Sequence, residues 1–227
     1  MKLSIVIPAL DEAAGIVALL EELQPLRARG HEVVVVDGGS RDATAALAAP
    51  LADRVLEGPR GRALQMNAGA AAAAGEALLF LHADTRLPAD ADRLIADALA
   101  GGRHVWGRFD VRIVGRSPLL GVVAAAMNLR SRLTGIATGD QAIFATRAAF
   151  GRLHGFPPIP LMEDVAFSRQ ARRLSPPACL RAQVRTSGRR WDRLGALRTI
   201  VLMWRLRLAY FSGVDPDELA RRYRAEA

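Results

Sequence analysis

Leu3 to Ala9 is an apolar, β-branched run, and it gives way to a helical rhythm through Ile16, Leu19, Leu20 and Leu23 that ends near Gly30. The pattern predicts a strand, then a helix. It recurs: Glu32 to Val36 reads as a strand, Ser40 as the cap of a helix through Leu47, Arg54 to Leu56 as a short strand, Arg62 to Ala74 as an Ala-rich helix, and Leu78 to Leu81 as a fourth strand. Strands apolar on both faces and separated by helices predict a parallel sheet covered on both sides. Ligands of such sheets sit beyond the carboxyl ends of the strands, which directs attention to residues 8–12, 37–42 and 82–85.

After a helix around Asp90 to Ala100 the rhythm is less regular. Val105 to Val114 alternates like a strand, Leu119 to Leu133 is helical, Gln141 to Ala145 is a short strand, and Asp164 to Leu174 is helical. Gly155 to Pro160 reads as a loop. The apolar stretch Leu194 to Phe211 is interrupted by Arg198, Arg205 and Arg207. The whole is expected to be one α/β domain: a nucleotide-binding half over 1–100, a mixed half over 101–192 and C-terminal helices over 193–227.

Three carboxylate positions carry candidate chemistry. Asp37 closes a valine run and opens Asp37-Gly38-Gly39-Ser40-Arg41-Asp42, where it can accept from a nucleobase N–H or ribose hydroxyl, or only cap the turn. His82-Ala83-Asp84 closes the fourth strand, where a carboxylate can hold Mg²⁺ or Mn²⁺ against a diphosphate, or simply cap the next helix. Glu163-Asp164 follows the Gly/Pro loop at a helix start, a place that favours the helix dipole and also suits a general base. Arg62 with Asn67, and Arg189-Arg190-Trp191, offer guanidinium, amide and aromatic groups for a phosphate or sugar.

Taken in order, these segments resemble family 2 glycosyltransferases of the GT-A fold. The matching residues are Ser4 to Glu12, Val36 to Asp42, Gly61 to Gly69, Leu81 to Asp84 and Met162 to Asp164. More narrowly, Gly61 to Gly69, Thr134 to Phe144 and Thr186 to Trp191 resemble a bacterial subgroup named for its gene neighbourhood, the radical-SAM/selenodomain-associated transferase 2 group. That label specifies no substrate. The resemblance implies that Pro8, Ala9, Glu12 and Asp37 line a nucleoside pocket, with Arg62 and Asn67 nearby, while Gln141, Arg189, Arg190 and Trp191 belong to the donor side. Asp84 would hold the metal, with His82 as a second ligand and Ala83 between them, and Asp164 beside Glu163 would deprotonate the acceptor for inverting transfer. Two positions depart from the family pattern: His82 stands where the first acid of the metal triplet is usual, and Gly38 where the turn usually has a second acid.

Composition narrows the rivals. A net charge of +8, with Lys2 the only lysine among 31 basic residues, fits anionic phosphates or an anionic membrane surface. Only 5% of the residues are aromatic, and neither a stacking platform nor a helix-turn-helix is present, which argues against nucleic acid. One cysteine, Cys179, excludes an intrachain disulfide, and the cytoplasm, free or at the inner face of the membrane, is the expected setting. The N-terminal apolar run holds Pro8 and ends at Asp11-Glu12, unlike a signal peptide. The acceptor is open, lipid-linked or small, as is a homo-oligomer. Two rivals are a non-catalytic nucleotide-sugar or membrane-surface binding protein, and a nucleotidyltransferase, which would need a Gly-rich loop and catalytic lysine after the first strand.

Overall fold

The computed structural model describes residues 1–226. One eight-stranded sheet runs through it, in the order β3-β2-β1-β4-β7-β6-β8-β5. The strands are β1 (Leu3–Ala9), β2 (Glu32–Asp37), β3 (Arg54–Glu57), β4 (Ala77–Phe80), β5 (Thr85–Arg86), β6 (Trp106–Val114), β7 (Phe144–Thr146) and β8 (Ala178–Ser187). The helices are α1 (Ala13–Glu22), α2 (Gln24–Ala28), α3 (Thr44–Ala48), α4 (Arg62–Ala72), α5 (Ala91–Ala100), α6 (Leu120–Thr134), α7 (Arg147–Arg152), α8 (Glu163–Ala171), α9 (Arg189–Leu194), α10 (Ala196–Phe211) and α11 (Pro216–Ala225). β3, β2, β1 and β4 are parallel. β7 turns antiparallel between β4 and β6, and β8 then runs parallel to β6.

The all-apolar strands are explained by burial on both faces. Successive side chains of a strand point to opposite faces, and Ile5, Ile7, Val33, Val35 and Leu79 pack in one cluster with Ile16, Leu19 and Leu20 of α1 and Ile95 of α5. Val6, Val34, Val36, Leu78 and Phe80 pack in another with Met66 and Ala70 of α4, Phe150, Phe156 and Phe167. Each buried Val, Leu or Ile contributes about 1.5–3 kcal/mol, so these strand ends are fixed from both sides.

Several expectations shift. The first helix breaks at Leu23, because Pro25 near the start of α2 removes a backbone donor. Ser40 caps no helix: α3 begins at Thr44, and the Ser40 hydroxyl serves the loop instead. The short strand expected from Gln141 starts at Phe144, because residues 139–141 form a 3-10 turn. β8 carries arginines at exposed positions 181 and 185, which hid its alternation from a hydrophobic reading.

The C-terminal helices fold back over the second half. Leu202 and Leu206 of α10 and Leu219 of α11 bury against Ile136, Met162 and Val165. The opposite stripe of α10, Leu197, Val201, Trp204, Leu208 and Phe211, stays exposed. Among the described residues no helix is long and apolar enough to cross a membrane.

Candidate active site

The carboxyl ends of β1 and β2 meet in two loops laced together through polar side chains. Asp37 is 5% exposed; its Oδ2 accepts from the backbone N–H groups of Gly39 at 3.1 Å and Ser40 at 2.9 Å, and its Oδ1 accepts from the Ser40 hydroxyl. That hydroxyl in turn accepts from the Asp11 N–H at 2.9 Å, and Asp11 Oδ1 accepts from the Arg41 N–H at 2.7 Å. The Glu12 N–H donates to Thr44 Oγ1 at 2.8 Å. Pro8 and Ala9 line the strand end above this turn, with Pro8 partly exposed and Ala9 buried. The structure therefore places Asp37 as the organiser of its own turn.

Gly38 stands where an acid is usual in the family pattern, and the space explains it. A Cβ there would lie 2.9 Å from the Gln65 side-chain nitrogen. Gln65 is buried, and its Nε2 donates to the carbonyls of Ala9 at 2.8 Å and Val36 at 2.9 Å, which pins α4 to both strand ends.

His82-Ala83-Asp84 turns off β4 at the same edge. Ala83 is buried in the core, while the Asp84 side chain is 31% exposed with Oδ2 at 3.8 Å from the Arg189 guanidinium. The same guanidinium lies 3.3 Å from Glu12 Oε2. Arg189 thus joins the ends of β1 and β4 to the start of α9. His82 faces the other way: its Nδ1 lies 3.3 Å from Asp140 Oδ1, and its Nε2 is buried without a partner. Gly139 makes that packing possible, since a Cβ there would meet the imidazole at 2.4 Å.

The same 3-10 turn reaches the candidate base. The Gly139 N–H donates to Asp164 Oδ2 at 2.8 Å, and the Val165 N–H donates to Oδ1 at 2.7 Å. One short segment, Gly139-Asp140, therefore touches both His82 and Asp164. Glu163 is 3% exposed and lies 3.6 Å from the Arg62 guanidinium. Burial, reinforced by the Asp164 charge, raises the Glu163 carboxyl above its ordinary value despite Arg62. Burial would also raise Asp140, but His82, Arg62 and Arg190 together hold it below its ordinary value. Met162, just before this helix, has φ 69°, and Asp11, just before Glu12, has φ 54°. Left-handed backbone in non-glycine residues costs energy and concentrates at functional sites.

Other expected contacts are placed elsewhere. Asn67 spends its amide on a loop: Nδ2 donates to the Phe156 carbonyl at 2.8 Å and Oδ1 accepts from the Phe156 N–H at 2.9 Å. Gln141 is fully buried; its Oε1 accepts from the Thr138 N–H at 3.2 Å and its Nε2 donates to Asn128 at 3.3 Å. It is a brace of the 3-10 turn. Trp191 packs on the core. Arg190 lies under Tyr223 of α11, with the guanidinium carbon 4.1 Å from the ring centroid. Sequence reasoning missed Asp140 and Tyr223, since neither belongs to a strand end and only the fold brings them in.

Among the described residues no three His, Cys, Asp or Glu side chains form a metal cage. A single partly exposed carboxylate at Asp84 still fits Mg²⁺ or Mn²⁺, which are commonly held by one or two carboxylates with substrate phosphates and water filling the rest. His82 fits poorly as a second ligand, because Asp140 takes one ring nitrogen and Gly139 encloses the other.

Comparison with known proteins agrees with the fold. The signature described as glycosyl transferase family 2 matches residues 4–143. The chain belongs to this family. The succinoglycan biosynthesis protein ExoA of Rhizobium meliloti (strain 1021) is 37% identical over 108 residues, 43% of this chain and 33% of that protein. Residues 1–349 of S. aureus TarS in complex with UDP superpose with a TM-score of 0.67 at 21% identity, over 82% of this chain and 60% of that one. Glucosyl-3-phosphoglycerate synthase from Mycobacterium tuberculosis, in complex with Mn²⁺, UDP and phosphoglyceric acid, gives 0.65 at 22% identity over 94% and 79%. This family 2 chain has the GT-A fold of those structures, and it spans a third of ExoA and three fifths of the TarS fragment.

Proposed function

We propose that this family 2 chain moves a sugar from a nucleotide-diphosphate sugar, UDP- or GDP-linked, to an acceptor hydroxyl, once per acceptor and with inversion. The observation that carries the reading is the Gly139-Asp140 segment, which links the turn holding Asp84 to Asp164. The donor-binding edge and the candidate base would then stand side by side, with the space between them as the active-site cleft. Pro8, Ala9, Glu12 and the Asp37 turn would receive the nucleoside, and Arg189 would move from Glu12 and Asp84 to the diphosphate. A divalent cation at Asp84 would supply charge neutralisation for the departing diphosphate.

Asp164 performs the proton transfer. Its carboxylate is aimed by two backbone N–H groups and takes the acceptor hydroxyl proton as that oxygen bonds to the anomeric carbon. The bond from that carbon to the donor phosphate breaks, and its electron pair leaves with the diphosphate. Attack from the opposite face inverts the centre.

The relatives support the donor class. TarS is described with UDP and with UDP-GlcNAc, and the mycobacterial synthase with UDP and Mn²⁺. Thermal shift of the purified chain against nucleotide sugars, with and without Mn²⁺, tests it: stabilisation should require both, and Asp84→Ala should abolish the metal-dependent part. Nucleotide binding with no donor hydrolysis across the panel would favour the non-catalytic sensor instead. The exposed apolar stripe of α10, with Arg198 and Arg205 on the same helix, supports peripheral contact with an anionic membrane. Sedimentation with phosphatidylglycerol vesicles, but not phosphatidylcholine vesicles, is the expected result; equal recovery with both refutes that contact.

A further inference from the structure

Arginines in this protein fall into two groups by what their guanidinium groups meet. Arg108 of β6 is wholly buried and fully paired: it contacts Asp110, its Nε donates to Ser131 Oγ at 3.1 Å, and Nη2 donates to the Asn128 carbonyl at 3.2 Å. Arg132 shares the same Asp110 and also donates to the Cys179 carbonyl at 3.1 Å. Where the fold uses arginine as structure, it braces the guanidinium with carbonyl, hydroxyl or carboxylate partners, and Arg147, held by the Gly75 carbonyl at 2.7 Å and the Ala70 carbonyl at 3.2 Å, leaves only Nη2 without one. Such bracing is the usual requirement, since an unpaired buried charge is strongly unfavourable.

Arg130 of α6 and Arg207 of α10 break that rule. Arg130 Nη2 is buried with no hydrogen-bond partner. Arg207 is partly buried and makes neither a side-chain hydrogen bond nor an ion pair among the described residues. The two are close enough to repel each other, and both feel the charge of Asp164 without lying within ion-pair distance of it. Burial first, and Arg207 second, push Arg130 down to about 10. Such a pair is poorly accommodated as long as no anion lies between the two side chains. Arg207 also feels Asp140, which His82 already pairs.

We propose that Arg130 and Arg207 form an anion subsite beside Asp164 that receives a phosphate group carried by the acceptor. The inference rests on reading Asp164 as the base, because that reading makes this the acceptor side of the cleft. Two guanidinium forks suit the several oxygens of a phosphate monoester, and its two negative charges match the two arginines. The subsite would hold the acceptor by its charged end and leave a hydroxyl free to reach Asp164.

Calorimetric titration of inorganic phosphate into the full chain tests this, with and without saturating UDP and Mn²⁺. Phosphate should still bind when UDP fills the donor edge, and Arg130→Met and Arg207→Met should each weaken it by about tenfold or more while UDP binding is unchanged. Arg112→Met, on the exposed side of β6, should have no effect. Arg130→Lys and Arg207→Lys serve if either Met variant fails to fold, and should also weaken binding, because lysine loses the fork. Displacement of phosphate by UDP, or equal affinity in the arginine variants and the wild type, overturns the subsite. A wild-type chain that binds phosphate through these arginines but never binds UDP would refute the donor reading and leave the subsite standing. Glycerol phosphate competing with inorganic phosphate would indicate a free acceptor, and phosphatidic acid vesicles competing where phosphatidylcholine vesicles do not would indicate a lipid-held one; failure of both to compete overturns the assignment to an acceptor.

Discussion

The donor edge and the acceptor side of the cleft treat their charges in opposite ways. At the donor edge, Asp37 accepts hydrogen bonds from its own turn, while Asp11 and Asp42 each accept one from the neighbouring loop and stitch the two loops together. On the acceptor side, Glu163 is buried against a like charge and Arg130 buries a guanidinium nitrogen with no partner, whereas the turn of Asp84 at the donor edge leaves only His82 Nε2 in that state. Fully satisfied polar groups rigidify a site, whereas unsatisfied ones store free energy that a ligand can release. The contrast suggests a preformed nucleotide platform facing a surface that is completed by its substrate.

The largest expected effect breaks the two sides apart kinetically. Asp164→Asn keeps the size and can still accept the Gly139 hydrogen bond, but it cannot take up a proton. Transfer should fall by roughly 10²–10⁴-fold, the range for losing a general base, while donor affinity measured by calorimetry stays within experimental error. Full activity in the variant would remove Asp164 as base, and lost donor binding would show that the two sides are not separable.

How much of this was legible in the sequence follows the same division. The strands of the donor half were read to within a residue, because strands buried on both faces leave uninterrupted runs such as Val33 to Val36, while its first helix and the Ser40 cap were not. The acceptor half was read poorly. β8 alternates with arginines at positions that carry no hydrophobic signal, and it pairs with β6 across 70 residues of chain. Asn67 reads as a ligand contact in one dimension because it lies near a helix start, and Gln141 because of the segment in which the family resemblance places it. Only the fold shows their amides consumed by Phe156 and by Thr138 with Asn128. The unpaired state of Arg130 and Arg207 is likewise a property of three-dimensional neighbours, invisible in a chain with arginine throughout.

A smaller effect sharpens the comparison through stability. In the donor half Asp92 of α5 holds Arg29 at 2.7 Å and His31 at 3.0 Å. Burial would raise its carboxyl, yet these partners pull it from 3.8 down to about 2. A depressed folded value means stability that is present above the unfolded value and is lost as pH falls through the folded one. The shift corresponds to about 2 kcal/mol. Asp92→Asn should therefore cost about that much at neutral pH in denaturant titrations, with the difference closing between about pH 4 and pH 2. A cost independent of pH would assign it to packing instead.

Glu163 should behave with the opposite sign, since burial and the Asp164 charge outweigh the Arg62 pair. Its folded value is raised, so below the ordinary glutamate range both folded and unfolded chains carry the proton and the group contributes nothing to the difference. As pH rises through that range the unfolded chain ionises first and is favoured, and native stability falls until the folded carboxyl ionises as well. Glu163→Gln keeps the shape and removes the charge. Its melting temperature relative to wild type should climb as pH is taken from about 4 to neutral, whereas transfer activity should drop if Arg62 and Asp164 depend on that charge for their positions. A variant whose relative stability instead declines over the same range would mean that the Arg62 pair outweighs burial. The acceptor side would then be as well satisfied as the donor edge, and the contrast between them would fail.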